Sequence, residues 1–194
     1  ATMACADCDV MPKFSFSGFG TMGLVHSSER DADFTTNSLK PTGAGYTRDW
    51  SPDIDSLIGG QVNADFTSKL SAIVQLISEQ NYNKNYRPHV EWANLKYELT
   101  PDADIRVGRT VLPIFMASEY RKVNYANPWI RPPAEVYNLV PISVNDGVDL
   151  SYRLLLGDYT DIIRGFYGGD TARSTDGSRA VAKDQVGIYN TTEY

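Results

Sequence analysis

Cysteine and histidine are scarce in this sequence, with two of each among 194 residues. Two cysteines cannot build the disulfide-dense scaffold of a small secreted domain. No uncharged apolar run approaches the roughly 18 residues that a transmembrane helix needs, which excludes a helical membrane protein. Basic residues are also outnumbered, with 18 Lys and Arg against 24 Asp and Glu. This balance argues against a nucleic-acid partner, because such proteins neutralise phosphates with clustered Lys and Arg.

Aromatic residues and glycine are abundant, with 12 Tyr, 7 Phe, 3 Trp and 15 Gly. Helical periodicity is weak, whereas apolar and polar residues alternate with period 2 along most of the chain. The alternation is cleanest at 57–67, where Ile58, Val62 and Phe66 share one parity. The pattern predicts an all-β, antiparallel protein with about eight strands. These strands begin near residues 13, 57, 70, 89, 105, 148, 162 and 186.

The connections between the predicted strands alternate in length. Those at 68–69, 100–104 and 157–159 are short, and those at 27–56, 81–88, 113–146 and 170–185 are long and polar. Tight periplasmic turns opposite long outer loops are typical of transmembrane β-barrels. The strands are about 9 to 13 residues long, as a tilted membrane-crossing strand requires. The spacing therefore predicts a transmembrane β-barrel with its long loops on the cell surface.

Alternation by itself does not say which face meets solvent, and a soluble barrel with an apolar interior also alternates. Small residues on the apolar parity, among them Gly18, Gly60 and Ala72, would leave voids in a packed interior. Aromatic residues such as Phe14 and Phe16 collect near the short-turn ends, as an interfacial girdle does. Both features favour an apolar face directed toward lipid over a secreted soluble β-domain.

Three segments resemble Gram-negative outer-membrane porins. The opening Phe-Ser-Phe-Ser-Gly-Phe-Gly at 14–20 resembles the first strand of many porins. The stretch 106–113 resembles the strand before the third outer loop. The stretch 120–133, which contains Asn-Pro-Trp and Pro-Pro, resembles that loop in porin-like proteins. The resemblance covers most of 13–168, and in the family the third loop folds into the barrel and narrows it.

The resemblance implies the N-terminal half of a larger barrel of about 16 strands. In this interpretation residues 1–12 form a periplasmic segment and 13–194 supply barrel strands with a constriction-type loop at about 113–146. The alternative is a complete, closed eight-stranded barrel with a structural or binding role through its outer loops. Such a long third loop would overfill an eight-stranded lumen, which side chains nearly occupy, and this favours the larger barrel.

Charged residues in the constriction loop and on the polar strand parities are the candidate pore-lining set. Arg106 and Arg109 have opposite parities, so one of them requires a bulge or a rim position. Pairing of these arginines with wall or loop carboxylates is compatible with a transport role, because rings of such side chains set pore selectivity. The candidates are Arg106, Arg109, Glu119, Arg121, Lys122, Arg131, Glu135 and Arg153.

Cys5 and Cys8 form a CxxC ahead of the first strand, and a small disulfide loop is the interpretation preferred over a redox role. Two cysteines are half of a usual zinc ligand set, so neither a metal nor another cofactor is expected. The small residues before Cys5 are typical of a signal-cleavage neighbourhood. No GxSxG-type nucleophile context is present, so an enzyme is not expected.

Together these features predict a bacterial outer-membrane channel for passive diffusion of small hydrophilic solutes, anionic ones among them. The resemblance implies outer-membrane lipid and lipopolysaccharide as partners and a homotrimer as the assembly.

Overall fold

The computed structural model describes residues 11–37, 39–115, 117–140 and 142–194. The strands are β1 (Lys13–Thr21), β2 (Val25–His26), β3 (Asp33–Phe34), β4 (Ala44–Gly45), β5 (Trp50–Ser51), β6 (Leu57–Asp65), β7 (Leu70–Glu79), β8 (His89–Thr100), β9 (Ala103–Val111), β10 (Val144–Leu156), β11 (Tyr159–Arg173) and β12 (Arg179–Glu193). The eight long strands form one antiparallel sheet in the order β1-β6-β7-β8-β9-β10-β11-β12, and the two short pairs β2-β5 and β3-β4 lie apart from it.

The predicted all-β class and the eight antiparallel strands are confirmed. The sheet is open, because β1 and β12 stand at its two ends and are not paired with one another in the described residues. Helical structure in the described residues is limited to a 3-10 turn at Asn124–Ala126 and a short helix α1 at Ala134–Tyr137. Within those same ranges, no helix combines the length and the apolar character that crossing a bilayer would demand.

Two predicted boundaries are wrong. The first long connection begins at 22 rather than at the predicted 27: β1 ends at Thr21, and the N–H of Gly23 donates to the hydroxyl of Ser56. The predicted long connection at 170–185 belongs largely to the sheet, since β11 and β12 extend to a short turn at 174–178. Residues 170–173 pair with β12 but not with β10, so this hairpin extends past its neighbour. The sequence of this hairpin is polar and lacks the alternation of apolar and polar residues that predicts a strand with one apolar face.

The two ends of the sheet differ in their connections. The turns at 66–69, 101–102 and 157–158 share one end with the start of β1 and the end of β12. The opposite end carries the first connection (22–56), the second (80–88), the third (112–143) and the turn at 174–178. We call these the short-turn end and the loop end.

Cross-strand register places the apolar parity of every long strand on one face. Phe16 is opposite Val62, which in turn is opposite Val74 across β6 and β7. Leu95 is opposite Val107, which is opposite Val148. Successive side chains of a strand point to opposite faces, so the polar parity forms the second face. We call them the apolar face and the polar face.

Burial is the reverse of that in a soluble β-protein. The apolar face is exposed, whereas several side chains of the polar face are buried. Exposed side chains of the apolar face include Phe14, Phe16, Ile58, Val74, Leu76, Val90, Leu95, Tyr97, Leu99, Val107, Val148, Leu150, Tyr152, Ile163, Tyr167, Val186 and Ile188. Buried polar-face residues include Gln75, Thr110, Asn145, Asp149 and Ser151.

Phe19 interrupts the alternation of β1, and the structure supplies the reason. Its ring covers Gly59 on the neighbouring strand, where a Cβ on that glycine would lie 2.4 Å from the ring. Phe166 covers Gly187 in the same way, with a Cβ at 2.6 Å. On the polar face an aromatic ring therefore packs across the backbone of a partner that has no side chain.

Candidate functional site

The third connection lies across the polar face near the loop end. Its prolines at 128, 132 and 133 interrupt helix formation, because proline lacks the N–H of an interior helical residue. From this irregular segment Glu119 accepts a hydrogen bond from Arg164 of β11 at 2.9 Å. Arg121 donates to Glu91 of β8 at 3.0 Å and to the hydroxyl of Ser143. These contacts attach one loop to two separate positions on the wall.

Two carboxylates of the wall hold the basic residues of the first and third connections. Glu79, at the end of β7, lies 2.5 Å from Lys122 and 3.1 Å from Lys40. Glu91 pairs with Arg121 and lies 3.4 Å from the imidazole of His89. Burial lowers the pKa of Lys40, and the charge of Glu79 opposes this shift.

A bulge in β8 positions Glu91. Gln75 is opposite Trp92, but the next residue of β7, Leu76, is opposite Val90. Glu91 is thus the extra residue of the bulge, and its side chain is only 8% exposed. Glu79, Glu91 and Lys40 are not recognisable in the sequence as site residues, because no local pattern indicates a bulge or the contact of two remote loops.

Arg131 joins the third connection to the first. Its guanidinium lies 3.3 Å from the carboxylate of Asp55 and 5.0 Å from the ring centroid of Phe34. Burial raises the pKa of Asp55, and the positive charge of Arg131 acts in the opposite direction. A buried carboxylate and a cation–π contact therefore fix this arginine at the loop end.

The second connection is tied to the first by Tyr86, whose hydroxyl donates to the carboxylate of Asp53. Partial burial and this carboxylate together raise the pKa of Tyr86 to about 12. Arg48 also pairs with Asp53 at 2.7 Å. All three long connections thus form one polar assembly at the loop end.

Within the wall, Arg106 and Asp149 are direct cross-strand partners on the polar face. Their closest nitrogen and oxygen atoms are 2.7 Å apart, and the side chain of Asp149 is 4% exposed. It is a pairing of an arginine with a wall carboxylate, as the sequence allowed. It neutralises the charge that Arg106 would otherwise present.

Arg109 occupies the rim position that its parity required. It lies two residues before the end of β9 and forms two hydrogen bonds to Asp146, at 2.7 and 2.6 Å. The register of β9 with β10 is continuous, so no bulge separates Arg106 from Arg109. Gly108 between them has a φ of +126°, and a Cβ there would lie 2.3 Å from the carbonyl oxygen of Ala93.

Arg153 and Glu135 are not brought into this assembly. Arg153 pairs with Asp102 at 3.3 Å and donates to the carbonyl of Pro101, both in the turn at the short-turn end. Glu135 is exposed on α1. Of the predicted residues in the third connection, only Glu119, Arg121, Lys122 and Arg131 form ion pairs with other elements in the described part of the chain. Arg106 lies on the polar face of the wall, and Arg109 lies at the rim.

The predicted Cys5–Cys8 pair lies outside the described residues. Among the residues that are described, no group of three or more His, Cys, Asp or Glu side chains is arranged to hold a metal ion.

Neither the known protein-family models nor the curated proteins contain a match to this chain. The porin resemblance consequently depends on the segments at 14–20, 106–113 and 120–133 alone.

Proposed function

We propose that this chain supplies the strands and constriction loop of an outer-membrane β-barrel channel, through which small hydrophilic solutes diffuse passively. The observation that carries the proposal is the reversed burial of the sheet: the apolar face is exposed and the polar face is covered. Monomeric soluble proteins rarely expose contiguous apolar patches larger than a few hundred Å². An outward apolar band with a polar interior is the arrangement of a barrel in lipid.

The length of the strands supports the same proposal. The eight strands of the sheet contain 9 to 15 residues each, whereas a globular strand averages about 5 or 6. Aromatic side chains also gather at the short-turn end, where the rings of Tyr159 and Tyr194 lie 5.1 Å apart. Tyrosine at that level is suited to the membrane–water interface.

The open edges of the sheet bear on the size of the barrel. In lipid, an unpaired strand edge leaves backbone N–H and C=O groups without partners, so β1 and β12 need neighbours. We propose that further strands complete a barrel of about 16 strands, as the porin resemblance implies. The alternative, a closed eight-stranded barrel, requires β1 to pair with β12. It would also have to contain the third connection, which crosses the polar face.

The fixed charges of the polar assembly suggest a weak preference for anions. Arg106, Arg131 and Arg164 each have a carboxylate partner and contribute little net charge. At the loop attachment, however, three cations (Lys40, Arg121 and Lys122) face only two carboxylates, those of Glu79 and Glu91. Charges in a narrow, low-dielectric constriction act on a passing ion with little screening. One excess positive charge therefore favours anions despite the acidic composition of the chain.

Electrophysiology in a planar lipid bilayer tests the proposal. The purified protein should give discrete conductance steps, and its zero-current potential under a salt gradient should have the sign of an anion-preferring pore. Lys122→Gln removes the excess charge and should shift the potential toward cations. Arg153→Gln, at the opposite end of the strands, should shift it much less.

Folded protein in bilayers that never conducts would contradict the channel and point to the closed barrel with a binding role. In the outer membrane we expect lipid and lipopolysaccharide around the apolar face, and a homotrimer as the assembly that the resemblance implies.

A further inference from the structure

A cleft of about 140 Å³ lies between the first and third connections at the loop end. Four cationic side chains line it, those of Lys40, Arg121, Lys122 and Arg131, together with the carboxylates of Asp55 and Glu79. The walls therefore carry more positive than negative charge.

Two guanidinium nitrogens of the arginines that line this cleft have unused hydrogen-bonding capacity. The Nε of Arg121 and one Nη of Arg131 are buried and have no hydrogen-bond partner in the described part of the chain. A buried donor without an acceptor is costly, and most such groups in folded proteins have a protein, water or ligand partner. Each of these arginines already holds a carboxylate with another nitrogen, Glu91 for Arg121 and Asp55 for Arg131.

The chemistry of these donors indicates the class of ligand. The planar guanidinium group matches the paired oxygens of a carboxylate or a phosphate. The cleft has room for the anionic group of a solute, since a single water molecule needs only about 10–15 Å³ of the same kind of volume.

We propose that this cleft binds a small oxyanion, the carboxylate or phosphate group of a passing solute, between Arg121 and Arg131. The inference rests on the proposed channel, whose solute class it specifies. Lys40 and Lys122 supply the further positive charge that offsets desolvation of the anion. The site would hold the anionic group of a solute at the loop end before the solute moves on.

Binding is measured by isothermal titration calorimetry on the full-length protein in detergent, at constant ionic strength, with inorganic phosphate and with acetate as probes. The wild type should bind at least one of the two more tightly than chloride. Arg121→Lys and Arg131→Lys keep the charge and the ion pair but lose the unused guanidinium donor. Each should weaken binding by about tenfold. Arg153→Lys, which alters an ion-paired arginine at the short-turn end, should leave binding unchanged.

The two probes separate the sources of the oxyanion. Phosphate binding alone supports a phosphorylated solute, and acetate binding alone supports a carboxylate solute. If neither binds the wild type, water satisfies the two donors and the proposal is overturned, with no variant needed for that result. The proposal is also overturned if Arg121→Lys and Arg131→Lys, shown to be folded by their circular dichroism spectra, bind the probes as tightly as the wild type does.

The result is independent of the channel measurement. Binding without conductance would retain the oxyanion site and reject the pore, whereas conductance without binding would retain the pore and reject the site.

Discussion

An arginine introduced in the middle of the apolar face should be far more damaging than one near its edge. Leu95 lies within about one residue of the midpoint of β8, and Leu99 lies one residue from its end. Both side chains have the same parity and nearly equal exposure, 51% and 48%. In a bilayer they differ in depth: four residues at roughly 3.3 Å each, tilted by about 45°, separate them by about 9 Å.

That depth difference sets the expected magnitudes. Arginine on the lipid face costs about 2–4 kcal/mol at the midplane and about 0–1 kcal/mol near the interfaces. Leu95→Arg should therefore reduce the ratio of folded to unfolded protein by about thirty- to a thousandfold, and Leu99→Arg by less than about tenfold. Lys96→Arg is a control at the same depth on the polar face, where Lys96 already pairs with Glu98 and Asp104. This conservative change should leave the free energy of unfolding almost unchanged.

The assay is reversible unfolding by guanidinium from phospholipid vesicles, followed by tryptophan fluorescence. A soluble protein that buried this face against an apolar core would penalise both arginines to a similar extent, because the two leucines are equally exposed. Equal losses of stability for Leu95→Arg and Leu99→Arg would therefore refute the lipid-facing assignment.

Three further predictions concern packing, titration and orientation. Gly59→Ala should destabilise the protein by about 1–3 kcal/mol because the new Cβ meets an aromatic ring; Gly60→Ala, whose Cβ meets nothing within 4 Å, should be nearly neutral in the same denaturant series. Absorbance titration at alkaline pH should show a tyrosinate component near pH 12 that Tyr86→Phe removes. Because the pKa is raised, the loop contact of this phenol stabilises the fold fully below about pH 10, and this stabilisation is lost as pH rises through about 12. A titration curve that Tyr86→Phe leaves unchanged would contradict the raised pKa. In whole cells that express the protein with its native cysteines replaced, an impermeant maleimide should label Asp176→Cys and leave Asp102→Cys unlabelled. The opposite labelling would invert the proposed orientation.

The sequence predicted the number and order of the long strands and the composition of their faces. This was possible because side chains alternate strictly along a strand, so the parity of Val62, Leu95 and Val148 is a local property that tertiary contacts do not alter. Only the three-dimensional structure explains Phe19, whose ring packs on a glycine 40 positions later in the chain. The sequence at 170–185 predicts a loop although most of it forms a hairpin, because neither face of that hairpin is apolar throughout.

The charged residues divide in the same way. The sequence identified the basic side chains of the third connection, because Arg121, Lys122 and Arg131 are concentrated in one loop. Their partners were decided by tertiary structure alone: Glu79 by the end of a strand, Glu91 by a bulge, and Asp55 by the path of the first connection. Such contacts join residues tens of positions apart and leave no periodic signal, since ion pairing depends on distance in space and alternation depends only on neighbours in the chain.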